Sequence, residues 1–274
     1  MNPNRTIPLL VLVGLLLLGS FSTAHAVTLA NVIDLRTLNA QDETGIANGA
    51  FFYQNTSQAT GTGYIDPFLR LQAQGSSTVE HAFNTDYRVG GGGGQAPLDA
   101  KSDPNYTHSL TFGELGIVTK NGTNYYLFTL DLDEPNAGPF RDISLDQVKI
   151  YAGSAPDLPD LSTTSLLWDM DGGAGGDAVV YLNGGALSPG NGGDDMQMLV
   201  PTSFFAGHDD DFMYFYTKFG ATIGADTDMD ADASFEEWRA FVEERHEEVP
   251  EPATMLLLGT GLIGLAGGRL FRKK

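Results

Sequence analysis

The chain has 274 residues, 42% of them apolar, which is enough to bury one substantial core and too little for more than one or two domains. It carries 35 acidic and 15 basic side chains, so its formal net charge is −20. A surface this negative repels phosphate backbones, which excludes nucleic acid as an expected partner. The chain has no cysteine, and this excludes disulfides, thiol catalysis and thiolate metal sites.

The first 26 residues have the three parts of a secretory signal peptide. Arg5 supplies the charged start, Leu9–Leu18 the apolar stretch, and the small residues Ala24 and Ala26 the cleavage site. The alternative, an uncleaved membrane anchor, is disfavoured because the apolar stretch is too short to span a bilayer. We therefore predict cleavage after Ala26 and export of the domain that follows.

A second targeting pattern closes the sequence. The segment Val249-Pro250-Glu251-Pro252 is followed by an apolar run over 253–268 and then by a basic end. The basic end contains Arg269, Arg272, Lys273 and Lys274. We predict a glycine-rich transmembrane helix over 253–271 that is barely long enough to cross the hydrocarbon core. Because positive clusters stay on the cytoplasmic side, the body of the protein is expected on the outer side of the membrane.

This order of VPEP, apolar helix and basic end resembles the PEP-CTERM sorting signal. The resemblance implies that the tail, 249–274, first holds the exported protein in the inner membrane of a Gram-negative bacterium. A membrane transpeptidase, exosortase, would then recognise Pro250-Glu251-Pro252 and remove the tail. Members of this family are typically linked to exopolysaccharide and biofilm-matrix production. The expected final location is therefore the cell surface or the extracellular matrix.

Between the two targeting segments the sequence predicts a mainly β fold, an antiparallel, jelly-roll-like β-sandwich over 27–242. Short segments rich in β-branched and aromatic residues alternate with Gly, Asn, Asp and Pro. The predicted strands are Val27–Leu35, Ala50–Gln54, Tyr64–Gln72, His108–Val118, Asn124–Asp131, Gln147–Tyr151, Ser165–Asp169, Ala178–Leu182, Met196–Pro201 and Phe212–Phe219. The dipeptide Asn121-Gly122 lies between two apolar runs and predicts a two-residue hairpin turn.

One short helix is predicted at the end of this body. Ser234 and Glu237 have the spacing of a capping box. The apolar residues that follow recur at helical spacing, namely Phe235, Trp238, Phe241 and Val242. We therefore expect a helix packed on the sandwich, with a charged spacer over 243–248 leading to the sorting segment.

An acidic segment just before this helix has the oxygen spacing of a calcium-binding loop. The expected Ca²⁺ ligands are Asp226, Asp228, Asp230, Asp232 and Glu237. Two features favour the alternative of a solvated acidic loop. Ala231 stands where such a loop needs glycine, and the capping box already explains Glu237.

The sequence contains none of the common hydrolase or phosphate-binding motifs, such as GxSxG, HExxH or GxxxxGK[ST]. We therefore expect a non-catalytic surface or matrix protein whose partners are exosortase and exopolysaccharide or other matrix components. Two alternatives stay open. A glycan-binding module would expose aromatic side chains on one sheet face, and a polysaccharide-acting enzyme would place two carboxyls about 5–9.5 Å apart in a cleft.

Overall fold

Short strands make up nearly all the regular structure, as the alternation of β-branched and aromatic segments with turn residues predicts. The computed structural model describes residues 31–36, 44–54, 64–91, 94–132, 142–184, 194–221, 229–231 and 235–243. The strands are β1 (Asn31–Asp34), β2 (Thr44–Ala47), β3 (Ala50–Gln54), β4 (Tyr64–Leu71), β5 (Glu80–Phe83), β6 (Leu110–Thr111), β7 (Ile117–Lys120), β8 (Thr123–Leu132), β9 (Asp142–Gly153), β10 (Ser165–Asp169), β11 (Ala178–Asn183), β12 (Met196–Pro201), β13 (Phe212–Phe219) and β14 (Glu236–Val242). Short 3-10 turns occur at Phe112–Glu114, Met170–Gly172 and Thr202–Phe205.

These strands form two sheets, which we call sheet A and sheet B. Sheet A has the order β1-β11-β9-β13-β5, with β10 paired to β9 and β6 paired to β13. Sheet B has the order β2-β3-β12-β8-β14-β4, with β7 paired to β8. The pair β1–β11 is parallel, and the other described pairs are antiparallel. The predicted mainly β architecture is therefore confirmed, with one parallel edge pair in sheet A.

Aromatic side chains from the two sheets meet in a shared core. Phe215 of β13 contacts Phe128 of β8 and Trp238 of β14, with ring centroids 5.0 Å and 4.8 Å apart. Phe68 of β4 approaches the same ring edge-on at 5.4 Å. All four side chains are fully buried, so the inner faces of the sheets pack on each other as in a β-sandwich.

Two Asn-Gly turns close hairpins in sheet B. The predicted turn at Asn121-Gly122 joins β7 to β8, and both residues have positive φ, 52° and 79°. A second turn of the same kind, Asn48-Gly49 with φ of 42° and 78°, joins β2 to β3. Positive φ at both central residues is the geometry of a two-residue hairpin, which explains the residue types.

The predicted helix near the end of the body is wrong. Residues Glu236–Val242 form β14, a central strand of sheet B between β8 and β4. Trp238, Ala240 and Val242 alternate into the core, and the backbone pairs with strands on both sides. A helix here would leave the edges of β8 and β4 unpaired, so long-range pairing outweighs the local capping pattern.

The targeting segments lie outside the described residues. This holds for the predicted signal peptide, 1–26, for the spacer beyond Glu243, and for the predicted transmembrane helix, 253–271. Within the part of the chain that the structure describes, no helix is both long and apolar enough to cross a membrane.

Candidate functional site

The residues expected to direct sorting and cleavage all belong to segments outside the described ranges. They are Ala24 and Ala26 at the signal cleavage site, Val249, Pro250, Glu251 and Pro252 at the processing site, and Arg269, Arg272, Lys273 and Lys274 at the basic end. The structure therefore bears only on the domain between them.

Of the predicted calcium ligands, Asp230 and Glu237 are described, while Asp226, Asp228 and Asp232 lie outside the described ranges. Glu237 lies on the outer face of β14, where Arg70 Nε donates to its Oε2 at 2.8 Å and Arg239 Nε donates to its Oε1 at 2.7 Å. Both of its oxygens thus already accept from guanidinium groups. Among the described residues, no cluster of three or more His, Asp or Glu side chains could hold a metal ion. The calcium site stays a prediction.

Asp230 is fixed by its neighbours in the chain. The Met229 carbonyl accepts from the Ser144 amide at 3.2 Å, and the Ala231 amide donates to the Thr78 carbonyl at 2.8 Å. Met229 and Ala231 are both buried. This short stretch is therefore bonded to two other parts of the sandwich.

Arg239 joins three carboxylates on the outer face of sheet B. Its guanidinium lies 2.6 Å from Asp131 and 3.1 Å from Asp194, in addition to the contact with Glu237. Nearby, Arg70 bonds Glu237 and stacks over the ring of Tyr106, 3.3 Å from its centroid. The two guanidinium groups are satisfied by protein partners, so this network ties strands together and offers no free cation to a ligand.

Asp195 is fully buried just before β12. Its Oδ2 accepts from the Leu132 amide at 2.8 Å, and its Oδ1 has no hydrogen-bond partner. Burial raises the pKa of Asp195 to about 8, and the nearby Asp131 and Asp194 act in the same direction. Asp195 is therefore largely protonated at neutral pH.

A second buried acid, Glu80 of β5, hydrogen-bonds with Glu236 of β14 between the two sheets. Burial raises the pKa of Glu80, and the hydrogen bond with Glu236 opposes that shift. The two carboxyls touch each other and face the core. A glycosidase instead needs its carboxyls separated across an open cleft, so this pair is a structural link between the sheets.

An open cleft of about 680 Å³ lies on the outer face of sheet A, where β5 and β13 pair. His81 and Lys218 are direct cross-strand neighbours, and His81 Nδ1 lies 3.2 Å from the Tyr216 hydroxyl. Asp99 and Gln74 line the opposite side. We call this group the β5–β13 cleft. It combines a half-buried aromatic ring with an ammonium, a carboxylate and an amide, so it can bind a polar ligand with a flat apolar face.

A smaller cavity, about 390 Å³, is lined by Asp86, Arg88 and Asp157 among others. The Arg88 guanidinium donates to four backbone carbonyls, those of Thr85, Tyr87, Ser102 and Thr107. Four of the five N–H donors of Arg88 are thus used to hold the surrounding loops together.

The sequence did not point to the β5–β13 cleft. The alternation within 212–219 places Tyr216 and Lys218 on one strand face, which is the only local indication of the site. His81 lies 135 residues from Tyr216 in the chain, and only the register between β5 and β13 brings them together.

Among the comparisons with known proteins, the match is to the C-terminal segment of the chain. A model of the PEP-CTERM protein-sorting motif matches residues 248–273. No curated protein and no solved structure matches the chain. The chain is thus an exported β-domain protein with a C-terminal sorting signal. More particularly, it carries a PEP-CTERM sorting motif, which indicates an exosortase-targeted protein of the cell surface.

Proposed function

We propose that this protein is a non-catalytic component of the cell surface or extracellular matrix, linked to exopolysaccharide or biofilm, that exosortase processes at Pro250-Glu251-Pro252. The observation that carries this proposal is the sorting motif matched at 248–273. The rest of the proposal follows from what such a tail does. Such a tail holds the exported chain in the inner membrane, here by the short helix predicted over 253–271, and is then removed.

The described domain has properties that suit work outside the cell. Its stability rests on a core of two packed sheets, so folding after export requires no disulfide formation. Its strongly negative charge favours solubility once the tail is gone. These properties support an extracellular protein with a structural or binding role.

Mass spectrometry of the mature C-terminus tests the proposal. Cells that carry exosortase should yield protein ending near Pro250, and cells without it should yield membrane-bound chain ending at Lys274. A Glu251→Ala variant should keep the tail in both strains. The matched control Glu247→Ala removes the same charge just outside the matched residues and should be processed normally. An intact Lys274 terminus in the envelope of exosortase-positive cells would refute the proposal.

A second candidate function, glycan binding, is favoured by one observation. The β5–β13 cleft places Tyr216 on an exposed sheet face beside polar groups, the combination that sugar recognition needs. An aromatic ring can pack on the apolar face of a pyranose while polar side chains bond its hydroxyls. Glycan binding is compatible with a matrix role, because it would attach the processed protein to polysaccharide.

A further inference from the structure

We propose that the β5–β13 cleft binds a carboxylated sugar residue, such as a uronic acid of an acidic polysaccharide, with Lys218 pairing the sugar carboxylate. This inference rests on the glycan-binding candidate above and names its ligand class. It depends on three features of the cleft: an unpaired cation, an aromatic wall, and oxygen acceptors on the opposite side.

Lys218 is the exceptional cation of this domain. Every other described lysine and arginine has a hydrogen-bond or ion-pair partner within the protein, namely Arg36, Arg70, Arg88, Lys101, Lys120, Lys149 and Arg239. Among the described residues Lys218 alone has none, although the chain carries 35 acidic side chains. An unpaired ammonium in this open cleft can pair with an anionic group of a ligand.

Tyr216 forms the wall beside this cation. Its hydroxyl is held by His81 Nδ1 at 3.2 Å, and the His81 ring meets the Tyr216 ring edge-on, with centroids 6.1 Å apart. Burial raises the pKa of Tyr216, with smaller contributions from Tyr151 and Asp99, so its hydroxyl stays protonated. The ring is therefore fixed in place, which lowers the entropy cost of stacking a sugar on it.

The opposite side of the cleft supplies acceptors. Asp99 Oδ2 accepts from the His81 amide at 2.9 Å, which orients the carboxylate and leaves Oδ1 for a ligand hydroxyl. Gln74 Nε2 donates to the Leu98 carbonyl at 2.8 Å, which leaves its amide oxygen available in the same way. No ion pair joins Asp99 to Lys218, so the cleft keeps a negative and a positive end.

This polarity favours a carboxylated sugar over an acidic peptide. A uronic acid can donate hydrogen bonds from its hydroxyls to Asp99 and form an ion pair between its carboxylate and Lys218. An acidic peptide also offers carboxylates to Lys218, but it has no ring hydroxyls that could donate to Asp99. The net charge of the protein opposes any polyanion at long range, but the Debye length at physiological salt is about 8 Å, so contact with Lys218 outweighs distant charges.

Calorimetric titration of the full chain, kept in solution by a polyoxyethylene detergent that has no sugar headgroup, tests the inference. The probes are a hexagalacturonate, a neutral maltohexaose and a hexaglutamate, all at physiological ionic strength. We expect the hexagalacturonate to bind at least about tenfold more tightly than either of the others. Lys218→Met should remove this preference, and Lys218→Arg should keep most of it.

Lys120→Met is the matched control, because it removes the same charge from sheet B and should leave binding unchanged. Each variant is compared with the parent by thermal melting, so that a folding defect is recognised. Equal binding of the acidic and neutral hexamers would overturn the carboxylate inference and leave glycan binding standing. Preference for the hexaglutamate would overturn the choice of sugar. Binding of none of the three would overturn both the inference and the glycan-binding candidate.

Discussion

Asp195 and Glu80 are acids that the fold keeps away from water. In the unfolded chain both would ionise near pH 4, whereas burial raises the pKa of each in the folded protein. The folded state therefore holds protons that the unfolded state releases. For such a group the stabilising contribution is complete below the unfolded pKa and is lost as pH rises through the folded pKa.

Asp195→Asn should make this effect visible at a single residue. The amide oxygen can still accept from the Leu132 amide, but the side chain no longer titrates. We expect the variant to gain stability relative to the parent between about pH 4 and about pH 8. Near pH 8 the gain should reach at least about 1 kcal/mol, or about 2–4 °C in Tm. Urea denaturation across this range measures it, and the exposed Asp177→Asn serves as control. Parallel stability curves for parent and variant would contradict the assignment.

At the scale of elements, most strands follow from local pattern. The predicted segments Ala50–Gln54, Ser165–Asp169, Met196–Pro201 and Phe212–Phe219 coincide with β3, β10, β12 and β13. Each of them contains enough β-branched, aromatic or other large apolar residues to be recognised without knowledge of its neighbours. Strands β2 and β5 were not predicted, because each is four residues long and Glu80 puts a charge at a buried position.

Strand β14 shows why local pattern can mislead. Phe235, Trp238 and Phe241 recur every three residues, which fits a helix, while Trp238, Ala240 and Val242 alternate, which fits a strand. The same residues therefore fit both a helix and a strand. The strand forms because β4 and β8, which are distant in sequence, offer backbone edges with which this segment pairs.

Arg239 provides a test of how β14 is held. Its side chain reaches Asp131 on β8 and Asp194 before β12, so it links three parts of sheet B. Arg239→Met removes the ion pairs with Asp131 and Asp194, while Glu237 keeps its pair with Arg70, and we expect a loss of roughly 1–3 kcal/mol of unfolding free energy. Lys149→Met, which removes a single partly buried ion pair with Asp169, should cost less than the loss of the Arg239 network. Similar losses in the two variants, measured by chemical denaturation, would show that the network adds nothing beyond a single ion pair.

At the scale of the whole molecule, a feature can be predicted from the sequence when its residues are contiguous, and not when long-range strand pairing brings them together. The sorting motif is contiguous, and it was recognised directly from Pro250-Glu251-Pro252 and the segments after it. The β5–β13 cleft is assembled from three separate stretches of chain, so no local sequence motif indicates it. Continuous signals are readable in a single sequence, whereas sites made by strand pairing need the fold.

The net charge of −20 predicts how the whole protein responds to salt. Self-repulsion destabilises the compact state and is screened by added ions, so Tm should rise between about 0.02 and about 0.5 M NaCl. Calcium at matched ionic strength separates screening from binding. A further rise that Asp226→Ala removes would support the acidic segment as a calcium site, and identical melting in the two salts would leave it a solvated loop.

The central position of β14 has a mechanical consequence. The last described residue, Glu243, directly follows a strand that is hydrogen-bonded on both edges, and its amide donates to the Glu114 carbonyl at 3.1 Å. A pull on the C-terminal segment along the strand axis would load both ladders together, in shear, instead of peeling an edge strand one bond at a time. A surface protein tethered by this end would therefore resist mechanical unfolding by flow or stretching.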